Sequence, residues 1–516
     1  MSYSWVAWVG ISIFVWVLGA QLFRGTGPKK VPGPRGYPLI GNLLDLASSK
    51  GNLVPLFATW AKQYGGILEF SLFGEKQIVL SDEAVVQELF VKRGSKYSGR
   101  SAPYALKYAT RDLLIALMPK NDAWRRERKL THSAISISTN TKYQAAMHSE
   151  AVRCVHELVH SPASFALHFR TYSYSVIARC FFGLHVASPT DDFIVSNEEY
   201  LTQAMQAFDP SVFPINIFSP LSYLPVWTLP SLRKMARLRT LTDSYLANLK
   251  HDVEKERRMS PSQPPGVFNE FIANRSDYDI SDAEANSAFR ALIGGATRST
   301  HNALLTFMYL MMAYPEWLTK LQAQIDSVVG KDRLPTWEDV PNLPMVRAVV
   351  KEGVRYRSIV AELGIPHALE EDDLYEGYVF KKGTAFHANH GAILMDPTLY
   401  PDQAVFNPAR WLEDSYPTYK VPLTVYPNCQ NFAPFGYGRR ACPGYDFAER
   451  SLVIMVACMA WACDIKRPLG ENGKEFLPEI TYEAVPNPRP ERFECRIVGR
   501  EGRMESLQKE MEKAST

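Results

Sequence analysis

Cysteine is scarce in this chain, and a charge excess of either sign is absent. The seven cysteines, Cys154, Cys180, Cys429, Cys442, Cys458, Cys463 and Cys495, are odd in number and form no C-x-x-C pair. That argues against a disulfide framework and a thiolate zinc site, and suits a reducing compartment. Basic and acidic side chains number 57 and 54 among 516 residues, a formal charge of +3, so no nucleic-acid grip driven by net charge is expected. Repeats are absent, and the only biased tract is a short SPSQPPG stretch at 260–266 that reads as a surface loop. Disorder is excluded by a composition that is 46% hydrophobic and 12% aromatic. Length alone would allow about three domains, but no linker interrupts the chain after residue 43, and one large domain is expected.

A long charge-free apolar run occurs at Trp5–Phe23, nineteen residues, which at the helical rise nearly crosses a bilayer core of roughly 30 Å. No basic residue precedes it, whereas Arg24, Lys29, Lys30 and Arg35 follow. This order disfavours a cleaved signal peptide and, by the positive-inside rule, places the remainder in the cytosol. The expected organisation is an anchor over 1–27, a stiff hinge over 28–43 in which Pro32, Pro34 and Pro38 alternate with glycines, and a catalytic domain over 44–516. Competing readings of the apolar run are a buried helix and a signal peptide.

Apolar periodicity predicts helices over 52–64, 83–94, 121–136, 140–160, 196–208, 231–258, 281–313, 315–329, 343–357 and 444–463. Short strands are expected at Ile67–Phe73, Lys76–Ser81, Tyr378–Phe380 and Thr384–His387. The fold class is therefore mainly α with a small β part. The longest helix opens on an S-x-x-E capping box, Ser281 and Glu284, and stops before Pro315. In its middle stand Gly294 and Gly295, unfavourable there unless something must approach the backbone closely.

The most informative segment is Asn431–Arg450. Gly436, Gly438 and Gly444 permit tight turns around Cys442, and the adjacent guanidiniums of Arg439 and Arg440 are expected to favour thiolate over thiol. A ligand cysteine fits this frame better than an inert buried one. The spacing F-G-x-G-x-R-x-C-x-G, carried by Phe435, Gly436, Gly438, Arg440, Cys442 and Gly444, resembles the haem-binding loop of cytochrome P450 proteins, and with the anchor and hinge it resembles the fungal membrane-bound type. The resemblance implies a P450 fold holding haem b, with Cys442 as the axial iron ligand, Gly438 permitting the bend, Phe435 beside the sulfur and Arg440 at a propionate. Glu352 and Arg355, at an i, i+3 spacing about ninety residues before Cys442, resemble with Arg410 the family's E-x-x-R and arginine triad, which braces the core. Trp124 and Arg128 resemble its W-x-x-x-R helix, whose indole and guanidinium contact a propionate. His367 is either a further propionate contact or a satisfied core histidine.

One departure concerns the long helix, where the family usually carries an acid and an alcohol that help deliver protons to the oxygen-activating face. Here the sequence reads Gly294-Gly295-Ala296-Thr297-Arg298-Ser299-Thr300. If the glycines set the register, Thr297 replaces the acid and Arg298 the alcohol; if the downstream apolar residues do, Arg298 replaces the acid and Ser299 supplies the alcohol. The second is preferred, which makes Ser299, Thr300 and Arg298 the candidate catalytic residues. An arginine there would snorkel to a propionate or water, or pair with an anionic substrate.

By resemblance the function is monooxygenation of a lipophilic small molecule with O2, in fungal secondary metabolism. The alternative is a redox-neutral or oxidative rearrangement or coupling, because the distal acid is missing. NADPH serves indirectly through a partner, NADPH-cytochrome P450 reductase, steered by Arg125, Arg126, Lys129 and Arg439. The resemblance also implies an endoplasmic-reticulum membrane protein, single-pass, with a cytosolic catalytic domain. Substrate contacts are expected from Ser101–Leu114, Phe208–Trp227, Ile293–Thr300 and Ile359–Ile365. Rival readings are weak. His156-Glu157-Leu158-Val159-His160 matches the H-E-x-x-H of zinc peptidases but lacks their continuation. Gly436–Ala441 fits a dinucleotide fingerprint but follows Pro434 with no βαβ unit around it. A purely structural tethered protein leaves the cysteine frame unexplained.

Overall fold

In a computed structural model of the chain, the described residues run from 29 to 515, apart from 50–52, 101, 139–140, 210–211, 262–263, 359–364 and 483–489. The expected anchor at 5–23 lies outside them, and among the described residues no helix is long and apolar enough to cross a membrane. The predicted mainly α class with a small sheet is what the structure has.

The centre is the helix Asp282–Ala313. Its start is fixed by the capping box: Glu284 N–H donates to Ser281 Oγ at 3.2 Å while Ser281 N–H donates to Glu284 Oε2 at 2.8 Å. It packs beside Asp122–Ser138, Phe165–Ile177 and Tyr445–Ala462. Tyr445–Ala462 carries charges only in its first turns and is buried from Ser451 to Ala462, as a core helix must be. Each large side chain so buried contributes roughly 1.5–3 kcal/mol. Phe165–Ile177 escapes prediction because its second half, Tyr172 through Ile177, is buried all round and carries no stripe, although Leu167 near its start is exposed. The two glycines at mid-helix have different causes. A Cβ on Gly294 would lie 2.9 Å from Leu201 Cδ2, whereas one on Gly295 would meet nothing within 4 Å.

Other elements differ at their edges. The helix expected over 83–94 is an α turn, Glu83–Val86, that widens into π geometry over Gln87–Lys92. The one expected over 196–208 starts a turn earlier, as Asp192–Gln206, because the Asp191 carboxylate accepts the Phe193 N–H at 3.0 Å.

The five-stranded sheet has the spatial order Ile67–Leu72, Glu75–Leu80, Ala385–Ala388, His367–Ala368, Gly99–Arg100. The first two strands form a hairpin over Phe73 and Gly74, both at positive φ (50° and 85°). The stretch expected as a hinge is irregular but is laid against this hairpin: Glu69 N–H donates to Pro32 O at 2.8 Å, and a Cβ on Gly33 would stand 1.8 Å from Glu69 O. From residue 29 onward it is thus part of the globule.

A buried ionic knot holds the K-E-G-V-R helix, Pro344–Tyr356, to the segment that follows it. Glu352 Oε1 accepts from Arg355 Nη2 (2.9 Å), Arg410 Nε (2.9 Å) and the Asn407 N–H (3.0 Å). Glu352 Oε2 accepts from Arg355 Nε (2.9 Å) and Trp411 Nε1 (2.9 Å). Spare guanidinium N–H groups donate to the carbonyls of Leu394, Pro401 and Val405. The side chains of Glu352, Arg355 and Arg410 are fully buried, so one carboxylate is the counter-charge for two cations. Glu352→Gln should therefore lower stability by about 3–5 kcal/mol, measured as a shift of the urea unfolding curve followed by circular dichroism.

Candidate active site

The cysteine loop is built by its backbone. Gly436 (φ 75°) and Gly438 (φ 55°) are left-handed, and a Cβ on Gly438 would stand 2.2 Å from the Phe90 carbonyl oxygen. The turn brings the Cys442 N–H to the Phe435 carbonyl at 2.6 Å. The sulfur then sits just ahead of Tyr445–Ala462, with the Gly444 backbone hydrogen-bonded to it. Cys442 is exposed although protein surrounds it, because the surface it presents is the wall of an interior cavity of about 440 Å³.

Burial pushes the Cys442 thiol up, opposed by the Gly444 hydrogen bond and by Arg128. The expected helpers were Arg439 and Arg440, and the structure corrects this. Arg439 is exposed. Arg440 is turned aside, its Nε and Nη2 donating to the carbonyls of Ser98 and Met118 (2.7 Å each) with its plane over Trp124 at 4.4 Å. The guanidinium that acts on the sulfur comes from another helix: Arg128 Nη2 donates to Ala441 O at 2.6 Å.

Arg128, Arg440 and Trp124 all line the cavity, as do Phe435, Gly436 and Gly444. Gly438 does not line it; its part is the close approach to Phe90. His367 is a core histidine that also reaches the cavity. Its ring lines the cavity, yet it is a core group: Nδ1–H donates to Tyr97 O at 2.6 Å and the ring stacks on Phe90 at 3.9 Å. Burial and the nearby Arg100 hold its pKa well below the usual histidine range.

Arg100 and His390 are lining residues that sequence reasoning missed. Arg100 pairs with His367 in the sheet, a register no local spacing announces. Its guanidinium reaches the Ile365 carbonyl while Nε has no partner, and burial brings its pKa down to about 9. The same cause brings Arg440 to about 10 and His390 to about 4. Among the lining residues no carboxylate answers these cations.

Haem b fits such a cavity. Its two carboxylates would meet Arg100, Arg128 and Arg440, its faces the apolar side chains of Ile135, Phe181, Leu292, Val354, Phe447 and Leu452, and its iron the Cys442 sulfur. A bound iron would also deprotonate the thiol that burial otherwise protects.

The long helix contributes Ala291, Leu292, Gly295, Ala296, Ser299 and Thr300 to the wall, a single helical face. Two of the three catalytic candidates are therefore at the cavity. Arg298 is not, because it lies on the opposite side, Nη2 donating to Glu198 Oε2 (3.3 Å) and Thr202 Oγ1 (3.2 Å). Its partners are protein groups away from the cavity wall, in place of the expected propionate or anionic substrate. Of the expected substrate stretches, Gly295, Ala296, Ser299, Thr300 and Ile365 reach the wall, 359–364 lie outside the described residues, and nothing from 102–114 or from the described part of 208–227 lines the cavity. The H-E-x-x-H pair lies on Thr141–His160 with its rings stacked at 4.0 Å, and among the described residues no group of three ligands could hold a metal.

The cytochrome P450 family model matches residues 31–482. Over 470 residues the chain is 49% identical to the cytochrome P450 monooxygenase psoD of Aspergillus fumigatus, covering 91% of this chain and 90% of that one. It is 33% identical to the monooxygenase COX2 of Coprinopsis cinerea over 95% and 92% of the two chains, and 31% identical to virE of Hypocrea virens over 91% and 84%. A solved zebra fish cytochrome P450 with abiraterone has the same fold, with a TM-score of 0.68 at 22% identity over 87% of this chain and 99% of that one.

Glu127, between Trp124 and Arg128 in the chain, is buried. Burial raises its pKa to about 8, with Ser287 and Arg290 nearby limiting the rise. From its ordinary value of 4.5 up to about 8, the folded protein then holds a proton that the unfolded chain has lost. Stability accordingly falls as pH rises through that window. Glu127→Gln, neutral throughout, should flatten this part of the profile of unfolding midpoint against pH.

Proposed function

The chain belongs to the cytochrome P450 family and is a cytochrome P450 monooxygenase, and we propose that it is a haem-thiolate enzyme that inserts one oxygen atom into a neutral, lipophilic small molecule of fungal secondary metabolism. We further propose an endoplasmic-reticulum anchor at 5–23 with the catalytic domain in the cytosol, and electrons drawn from NADPH through NADPH-cytochrome P450 reductase. The observation that carries the reading is the Cys442 sulfur facing a cavity that holds three guanidiniums and no carboxylate. Bound there, the haem supplies the iron at which O2 is reduced, one atom passing to substrate and the other to water.

The chain's own residues do the rest. Cys442 ligates, held by the Phe435 carbonyl and the Gly444 backbone. Arg100, Arg128 and Arg440 neutralise the propionates. Ser299 and Thr300 place hydroxyls on the cavity face, which favours oxygen insertion over a redox-neutral rearrangement. The apolar walls exclude water and suit a substrate without charge. For the reductase, Arg125, Lys129 and Arg439 are exposed, Arg125 lying beside the equally exposed Asp122, while Arg126 is paired with Glu284 at 2.5 Å.

The decisive experiment is Cys442→Ala in the full chain. Wild type should show the thiolate-type carbon monoxide band and turn over with reductase and NADPH. The variant should lose both while keeping its far-ultraviolet circular dichroism. A wild-type protein that binds no porphyrin would sink the proposal.

A further inference from the structure

The H-E-x-x-H spacing fails as a peptidase centre, yet it leaves two imidazoles one turn apart on the same side of Thr141–His160. His156 is half-buried and His160 exposed, with their rings stacked at 4.0 Å. His160 Nδ1–H donates to His156 O at 2.8 Å, which fixes the tautomer and leaves Nε2 as a bare lone pair. His156 Nε2–H donates to Gln508 Oε1 at 3.1 Å. Gln508 belongs to the C-terminal helix Met504–Ser515, which packs against Thr141–His160. A second bond, from Gln508 Nε2 to Glu512 Oε1 at 3.0 Å, holds the amide with its oxygen towards His156. Two imidazoles and an amide oxygen from a different helix are thus gathered at one surface spot.

Neutral imidazole is a good ligand for borderline divalent metals. Two nitrogens on a tetrahedral zinc ion stand about 3.3 Å apart, close to the spacing the rings already have. A turn about χ2, a soft torsion in histidine, brings both lone pairs onto one cation. The spot also lies at the last turn of its helix, where the helix dipole favours positive charge. Among the described residues no third imidazole, carboxylate or thiolate joins the pair, so water completes the coordination. One ring resists: His156 Nδ1 is sealed without a partner, and it must carry the ring proton once Nε2 turns to a metal. A site with two nitrogens, one of them poorly supported, exchanges its metal instead of locking it in.

We propose that His156 and His160 bind a divalent transition metal such as zinc, with the Gln508 amide oxygen as a third ligand, so that the metal clasps the C-terminal helix to Thr141–His160. On binding, the hydrogen bond from His156 to Gln508 gives way to two bonds to the same cation. The site is separate from the Cys442 cavity and needs neither haem nor turnover.

The test titrates zinc chloride into full-length, haem-loaded protein by calorimetry. One equivalent should bind reversibly, and His160→Ala should weaken binding by about tenfold or more. Gln508→Leu should weaken it to a smaller extent, while His168→Ala, whose native ring is bound to Ser161 O, should match wild type. X-ray absorption at the zinc edge should show two imidazole nitrogens at about 2.0–2.1 Å. Zinc should slow tryptic cleavage at Lys509 in wild type and leave it unchanged in Gln508→Leu. No zinc uptake, or uptake undiminished in His160→Ala, overturns the site. Undiminished uptake in Gln508→Leu, or cleavage at Lys509 indifferent to zinc in wild type, overturns the clasp.

Discussion

Positive charge buried without a counter-charge is the constraint around which this protein is arranged. At the cavity, Arg100, Arg128 and Arg440 have backbone carbonyls for company and no carboxylate among the lining residues. Desolvated ions are costly without a partner, so an anion entering the cavity would be held by all three. The contrast with Glu352 is instructive. There two guanidiniums share an internal carboxylate and need no ligand, and the same residue type serves as scaffold in one place and as receptor in the other.

What the sequence made legible was local. The glycine frame of Cys442, the Glu352–Arg355 spacing and the Trp124–Arg128 spacing each lie within a few residues, so the motif carries the geometry. Arg100 and His390 became visible only through the sheet and through the loops it supports, since their partners are distant along the chain. Arg439 and Arg440 mislead in the opposite way: being next to a cysteine in sequence does not put a guanidinium near its sulfur when the loop turns the side chain towards Ser98 and Met118. Arg298 is similar, since a helix changes face within one residue.

The glycine pair at mid-helix shows how one sequence oddity can have two structural reasons. Gly294 admits Leu201 from the helix above, and Gly295 leaves the cavity wall open. The first lets Asp192–Gln206 come close enough for Glu198 and Arg298 to meet, so the packing of one face helps arrange the polar groups of the next. The unpredicted helix Phe165–Ile177 joins the same junction through Tyr174, and the all-round burial of its second half is what hid it.

Six cysteines are sealed or nearly so, with burial raising the pKa of Cys154, Cys180, Cys429, Cys458, Cys463 and Cys495. Cys442 alone among them opens onto a void. A preparation therefore carries its own occupancy gauge: chains that never received their prosthetic group offer one more alkylatable sulfur, that of Cys442, than loaded chains would. Counting maleimide adducts by intact mass would read the unloaded fraction directly, without relying on colour or turnover.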